Sequence, residues 1–199
     1  MTLRDLKRVL AVFRHDEQPE WFVHIYPHGH ATARLARRFA AACPGIVRGP
    51  TLNEIEFGAH VHDIGKYVIS KSILLKPGPL DEEERQVMFL HPAYGAQILA
   101  GLPQLTPHIL QTVLYHHERW DGGGYPEGIA GARIPVAARV VAVADVYTSL
   151  RARRSYKPTL TRAEAYALLG EMAGRELDPD IVYEFLKFVR GQASGPGRS

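Results

Sequence analysis

The stretch IPVAARVVAVADVYTSLRAR, residues 134–153, gives the clearest indication of how this chain folds. Small and branched apolar residues fill it on nearly every side, which predicts a long helix that is mostly buried. Asp145 interrupts the apolar run, and a lone carboxylate among valines and alanines is costly unless it is paired or bound to a metal ion. The stretch therefore predicts a core helix that carries a metal ligand, with a core hydrogen bond as the alternative role for Asp145.

The rest of the chain also follows helical spacing. Apolar residues recur at this spacing over residues 3–13, 29–42 and 52–64, and the second of these helices should stop at the Pro-Gly pair of residues 44 and 45. Four further helix starts, each a capping residue with a glutamate three positions later or a proline beside it, occur at Asp81, Thr106, Thr161 and Asp178. No alternating pattern typical of a strand appears, so the sequence predicts an all-α fold.

Composition narrows the class of protein. Hydrophobic residues make up 46% of the 199 residues, charged residues 23%, and the formal net charge is +3. These values are ordinary for a globular protein and compatible with an anionic ligand, without requiring nucleic acid. The single cysteine, Cys43, excludes an internal disulfide and a thiolate metal cluster and favours a cytoplasmic location. No apolar run reaches the roughly 20 residues of a membrane span, so neither nucleic acid nor membrane is an expected partner.

Histidine is the one residue type in unusual number, with ten in the chain. In HVHDIGK, residues 60–66, His62 and Asp63 are adjacent, so a carboxylate that bridges two metal ions would have an imidazole beside it. Lys66 follows one helical turn later and could meet an anionic group held by the metals. His60 is interpreted as a packing or surface residue. Further imidazoles that could bind metal are those of His91, His116 and His117.

Together these motifs resemble the HD superfamily of metal-dependent phosphohydrolases and, within it, the HD-GYP family of cyclic di-GMP phosphodiesterases. The similar segments are HDIGK at 62–66, ILLKPGPLDEEE at 73–84, HPAYGAQIL at 91–99, HHERWDGGGYPEG at 116–128 and IPVAARVVAVADVY at 134–147. The resemblance implies an HD-domain helical bundle with the extra C-terminal helices of the HD-GYP type over residues 26–190. Residues 1–25 would form a helical extension, and residues 191–199, which have nothing to bury, a disordered tail.

The resemblance also implies a metal site. For its first histidine we prefer His30 to His28, two residues earlier, because a glycine precedes His30 and a helix follows it. Some family members carry a glutamate four residues before this histidine that helps to hold a third metal; here Tyr26 occupies that position, so two ions are expected. Nitrogen and oxygen donors favour iron or manganese over zinc. The implied ligands, with Asp63 bridging, are His30, His62, Asp63, His91, His116, His117 and Asp145.

The implied activity is hydrolysis of cyclic di-GMP to linear pGpG, with a second cut to GMP left open. Asp63 and Lys66 would be the catalytic residues, Lys66 by contacting the scissile phosphate. Two alternatives stay open. One is a low-turnover cyclic dinucleotide receptor or a module that binds diguanylate cyclases or other signalling domains through its GYP loop, and the other is a hydrolase of a hybrid such as cyclic GMP-AMP. The oligomeric state is not predicted. Beside Lys66, the implied substrate contacts are Asp121, Gly122, Tyr125 and Pro126 in the glycine loop, and Arg154 and Lys157 for the other phosphates.

Overall fold

A computed structural model describes residues 19–102, 105–152 and 159–193 of the chain. This part of the chain contains no named strand, and the all-α prediction is confirmed. Nor does it contain a helix long and apolar enough to cross a membrane. Short 3₁₀ turns lie at Ile64–Val68 and Gly131–Arg133. The α-helices are α1 Pro19–Ala42, α2 Leu52–Val61, α3 Lys71–Leu74, α4 Glu82–Met88, α5 His91–Ala100, α6 Pro107–Tyr115, α7 Val136–Arg151, α8 Arg162–Met172 and α9 Pro179–Ala193.

Helix α7 forms the centre of the core, as its sequence predicts. Every residue from Val140 to Ala144 is buried. Phe39 of α1 and Phe185 of α9 lie in the same buried cluster, and their rings meet edge to face at 5.3 Å. Because α7 is largely enclosed by other helices, the Asp145 side chain is only 16% exposed.

Most predicted helix starts are confirmed. Asp81 and Thr161 each form a complete capping box with the glutamate three residues later. The Asp178 carboxylate accepts hydrogen bonds from the backbone N–H groups of Asp180 and Ile181 at the start of α9, at 2.9 and 3.2 Å. Helix α6 begins at Pro107 as predicted, but the Thr106 side chain makes no capping hydrogen bond.

Helix α1 differs from the prediction, because it begins at Pro19 instead of near Gly29 and continues through Pro27. Proline is disfavoured inside helices since it lacks an N–H donor, which made a start after Pro27 the natural expectation. The helix predicted over residues 52–64 ends at Val61, so His62 and Asp63 occupy the junction with a 3₁₀ turn. The helix predicted over residues 3–13 lies outside the described residues, as does the predicted tail beyond Ala193.

Two close backbone approaches bring the site together. Helices α1 and α2 run antiparallel and cross at Gly29, where a Cβ atom would lie only 2.7 Å from the carbonyl oxygen of His60. At Gly65, a Cβ atom would lie 1.8 Å from the carbonyl oxygen of His91. Both positions therefore require glycine, and they bring the end of α2 against α1 on one side and the start of α5 on the other.

Candidate metal centre

Seven side chains from five parts of the fold converge beside α7. One comes from α1, two from the end of α2, one from the start of α5, two from the end of α6 and one from α7 itself. Their nitrogen and oxygen atoms form two groups, within each of which the ligand atoms lie within 4.8 Å of one another. The first group is Asp63, His91, His116 and His117, and the second is His28, His62 and Asp145.

Asp63 stands between the two groups. Its Oδ1 lies 3.3 Å from His91 Nε2 and 3.8 Å from His116 Nε2, in the first group. Its Oδ2 lies 3.5 Å from His62 Nε2, in the second. Each carboxylate oxygen thus faces one group, which is the arrangement required of a carboxylate that bridges two ions.

Two buried atoms at this junction have no hydrogen-bond partner: His62 Nε2 and Asp63 Oδ1. An unsatisfied buried polar atom is costly and rare in folded proteins. A cation in the first group would satisfy Asp63 Oδ1, and a cation in the second would satisfy His62 Nε2. The site therefore fits a metal ion by its unsatisfied atoms as well as by its residue types.

Three of the histidines are oriented by the backbone. The Nδ1–H groups of His62, His91 and His116 donate to the carbonyl oxygens of Ala59, Met88 and Val113, three residues earlier in each case, at 2.7, 2.8 and 2.8 Å. A carbonyl oxygen can only accept, so Nδ1 carries the proton in each ring and Nε2 points into the cluster. Such hydrogen bonds fix the ring orientation that metal ligation requires.

Burial and the neighbouring charges strongly shift the pKa values of histidines in the cluster. Although burial disfavours a charged imidazole, the carboxylates of Asp63 and Asp145 raise the pKa of His62 to about 9. Burial lowers the pKa of His116 to about 4 and that of His117 well below its usual value. The metal-free cluster therefore holds a proton on His62, and metal binding there would release it.

The two carboxyl groups stay ionised. Burial favours their neutral form, yet Lys66 and His62 hold the pKa of Asp63 well below its usual value. A hydrogen bond from His28 and the charge of the nearby His62 do the same for the pKa of Asp145. Lys66 Nζ lies 2.6 Å from Asp63 Oδ2 and is partly exposed, so a positive charge stands at the open side of the cluster.

The histidine from α1 is His28, and the preference for His30 is corrected. His28 Nε2 lies 2.5 Å from Asp145 Oδ1, whereas His30 Nδ1 lies 3.3 Å from Nε2 of His60, outside both ligand groups. Two positions along a helix correspond to a rotation of about 200°, so only one of these histidines can face the cluster. The sequence contains both histidines, but it does not show how α1 is rotated about its own axis.

The replacement of His30 by His28 as the ligand also removes the argument for two ions that rested on Tyr26. Counted from His28, the residue four positions earlier is His24. Tyr26 instead lies beside His30, with the two rings stacked at 6.4 Å. The expectation of two ions now depends on the two groups of ligand atoms alone.

Of the predicted loop residues, the structure brings Tyr125 to the cluster. Its ring stacks on His117 at 4.9 Å and on Phe89 at 4.2 Å. The backbone N–H of Tyr125 donates to the carbonyl oxygen of His117 at 3.3 Å. Tyr125 therefore supports a predicted metal ligand, and Phe89, which the sequence analysis did not single out, supports Tyr125.

The other predicted loop residues lie away from the ligands. Asp121 is exposed and pairs with Arg119 at 2.7 Å, and it also accepts from the N–H of Gly123 at 2.9 Å. Gly122 has a positive φ of 83° and serves the turn. Pro126 is exposed. Arg154 and Lys157 lie outside the described residues.

Sequence reasoning missed the residues that hold the glycine loop in place. Glu118 is buried, and its Oε1 accepts from the N–H groups of Glu127 and Gly128 at 2.7 and 3.1 Å. The N–H of Trp120 donates to the carbonyl oxygen of Glu176, at 3.1 Å, in the turn between α8 and α9. Only the position of Glu118, next to the histidine pair in a glycine-rich segment, offered a signal in the sequence.

Comparison with known proteins agrees with this geometry. A profile described as the HD domain matches residues 23–181. This chain belongs to the HD-domain family. Its similarity to curated cyclic di-GMP phosphodiesterases supports the HD-GYP group within that family, as the motifs implied.

Two relatives carry that activity in their names. The chain is 45% identical over 134 residues to the cyclic di-GMP phosphodiesterase response regulator RpfG of Xanthomonas campestris, covering 67% of this chain and 35% of the relative. It is 43% identical over 202 residues to a cyclic di-GMP phosphodiesterase of Vibrio cholerae, covering 94% and 41%. A third relative, 3′3′-cGAMP-specific phosphodiesterase 2 of Vibrio cholerae, is 39% identical over 150 residues, covering 71% and 28%. The chain thus spans less than half the length of these relatives.

A solved structure confirms the fold. Bd1817 of Bdellovibrio bacteriovorus, described as an HDG"Y"P protein, matches with a TM-score of 0.67 at 20% identity, covering 84% of this chain and 53% of that one. The HD-domain fold prediction is confirmed by this similarity.

Proposed function

We propose that this chain is a metal-dependent phosphodiesterase that hydrolyses cyclic di-GMP to linear pGpG. The observation that carries the proposal is the position of Asp63, whose two oxygens face two separate groups of buried and partly buried ligands. A bridged pair of metal ions is the usual catalyst for displacement at phosphorus. The names of the two relatives with the highest identities reported above support the substrate.

The ligand set that we propose replaces His30 with His28. One ion would be held by His28, His62 and Asp145, the other by His91, His116 and His117, with Asp63 shared. The ions would supply Lewis-acid activation of water and neutralise charge on the phosphoryl oxygens. All these donors are nitrogen or oxygen, which supports iron or manganese over zinc.

The chain's own residues would bind and orient the substrate beside this centre. Lys66 lies at the open side of the cluster, and its ammonium group is suited to a non-bridging oxygen of the scissile phosphate. Tyr125 is proposed as a positioning residue, because its ring stacks on Phe89 and His117. Arg154 and Lys157 remain the proposed contacts of the other phosphates, and Asp121, Gly122 and Pro126 the proposed wall of the groove.

Specific observations support two alternative functions. The relative named as a 3′3′-cGAMP-specific phosphodiesterase supports a hybrid cyclic dinucleotide as substrate. The exposed Pro126 and Asp121 leave part of the glycine loop accessible to a signalling domain such as a diguanylate cyclase, so a receptor role is the second alternative. The complete ligand set favours turnover over a receptor role. A cytoplasmic location stays a prediction from the single cysteine.

Direct assay of the purified chain tests the proposal. Protein prepared without oxygen and reconstituted with Mn²⁺ or Fe²⁺ should convert cyclic di-GMP to pGpG, as measured by chromatography of the products. The matched substrates are 3′3′-cGAMP and cyclic di-AMP. Faster turnover of 3′3′-cGAMP would favour the first alternative, and tight binding of cyclic di-GMP without turnover would favour the receptor.

A further inference from the structure

A second pair of histidines lies on the opposite side of the α1–α2 crossing. His30 Nδ1 and His60 Nε2 are 3.3 Å apart, and both side chains are partly buried. The rings lie 5.1 Å apart at an angle of 58°. Neither histidine belongs to the ligand groups of the metal centre described above, so the proposed phosphodiesterase mechanism leaves both unused.

The separation of the two nitrogens suits two ligands of one ion. Zinc binds imidazole nitrogens at about 2.0–2.1 Å, and tetrahedral geometry then places two such nitrogens about 3.4 Å apart. The pair within the metal centre shows the same spacing, since His91 Nε2 and His116 Nε2 are also 3.3 Å apart. We call His30 and His60 the outer pair. Their nitrogens are spaced like those of His91 and His116, which the structure brings together in the metal centre.

The crossing of the helices separates this pair from the centre. The backbones of α1 and α2 meet at Gly29, leaving no room for a side chain between them. The rings of His28 and His62 lie 5.6 Å apart, and those of His30 and His60 lie 5.1 Å apart. Because two positions along a helix correspond to a rotation of about 200°, the two pairs point to opposite sides of this contact. An ion bound to the outer pair would consequently be distinct from the ions of the centre.

We propose that His30 and His60 form a separate, weaker binding site for an imidazole-preferring divalent cation such as Zn²⁺. The ion would join α1 to α2. Glu56 lies one helical turn before His60 but pairs with Arg37 at 2.9 Å, so water fills the remaining coordination positions. Two protein ligands hold an ion less tightly than the four ligands of the first group or the three ligands of the second group in the metal centre. Imidazole nitrogen prefers Zn²⁺ to Mn²⁺, so Mn²⁺ leaves this site empty.

Metal titration with matched variants tests this site. Equilibrium dialysis against a molar excess of Zn²⁺, followed by metal analysis, should find one more weakly bound ion per chain in the wild type than in His60→Leu or His30→Asn. The ions of the centre should be equal in number in all three proteins. Dialysis against Mn²⁺ should show no difference between them. Zn²⁺ should also raise the Tm of the wild type more than that of either variant, because the ion links two helices.

His108→Ala is the control, because His108 is also a partly exposed histidine but lies at the start of α6, away from both clusters. It should bind the additional Zn²⁺ as the wild type does. Equal Tm values of all proteins in EDTA establish that the variants fold. Zinc-binding curves of His60→Leu and His30→Asn that superimpose on the wild-type curve would overturn the proposal and leave the pair as a hydrogen bond between imidazoles.

Discussion

The two sides of the α1–α2 crossing carry the same residue types with different surroundings. On the inner side, His28 and His62 stand beside the ionised carboxylates of Asp145 and Asp63. On the outer side, His30 and His60 stand beside the aromatic ring of Tyr26. The same helices and the same two-residue spacing thus give a charged, largely buried cluster on one side and a pair of imidazoles on the other. Adjacent carboxylates, more than the number of histidines, distinguish the proposed catalytic centre.

The largest effect is expected from Asp63→Ala. It removes the carboxylate whose two oxygens face the two ligand groups, so both ions and the hydrolysis of cyclic di-GMP should be lost. The loss of activity should exceed about 100-fold, beyond the range typical for residues that only support a ligand. Asp180→Ala, which removes an exposed carboxylate from α9, is the control. Retention of more than a few per cent of activity in Asp63→Ala would show that Asp63 does not bridge.

The next-largest effect should distinguish the histidines on the two sides of the α1–α2 crossing. His28→Ala should lose one of the two tightly bound ions and most hydrolysis, because His28 contacts Asp145 in the second ligand group. His30→Ala should keep both tight ions. Metal analysis after extensive dialysis compares the two variants. The reverse pattern would restore His30 as the family ligand and contradict a rotation of α1 that turns His28 toward Asp145.

Gly29→Ala should disturb the histidines on both sides of the α1–α2 crossing. Its Cβ would lie 2.7 Å from a backbone oxygen of α2, a contact that can be relieved only if the helices move apart. A cost of about 1–3 kcal/mol in the free energy of unfolding is expected, as for other overpacked sites. Gly170→Ala in α8, where no atom lies within 4 Å of the added Cβ, is the matched control. Chemical denaturation measures both, and equal stability of Gly29→Ala and wild type would mean that the helices do not approach this closely.

The smallest effect concerns the two tyrosines. Tyr125→Ala removes the ring stacked on His117 and should weaken metal binding about 10-fold, the lower range for a residue that supports a ligand. Tyr125→Phe keeps the stack and should bind metal like the wild type. Tyr26→Ala, on the outer side, should leave the tight ions unaffected. Competition with a chelator measures these affinities, and equal losses in Tyr125→Phe and Tyr125→Ala would assign the effect to the hydroxyl group.

The sequence predicted much of this arrangement because several of its signals are local. Asp145 could be singled out since a lone carboxylate in an apolar helix needs a partner, and the capping residues of α4, α8 and α9 act within one helical turn. The structure brings six of the seven predicted ligands into the two groups. For these features, neighbouring residues contain most of the necessary information.

The choice between His28 and His30 needed information that is not local. It depends on the rotation of α1, which follows from the contact of Gly29 with the backbone of α2. The supporting role of Tyr125 depends in the same way on Phe89, which lies between α4 and α5. Residue spacing along the chain cannot reveal which distant backbone a helix will meet.

A crystal structure of the Mn²⁺-reconstituted protein, with anomalous difference density at the manganese edge, tests the bridging role of Asp63 directly. Two strong peaks about 3.5–4 Å apart are expected, the separation usual for paired catalytic ions. One oxygen of Asp63 should contact each peak, and His28 should ligate the ion beside Asp145. A single peak, or two peaks not joined by Asp63, would contradict a metal pair bridged by Asp63.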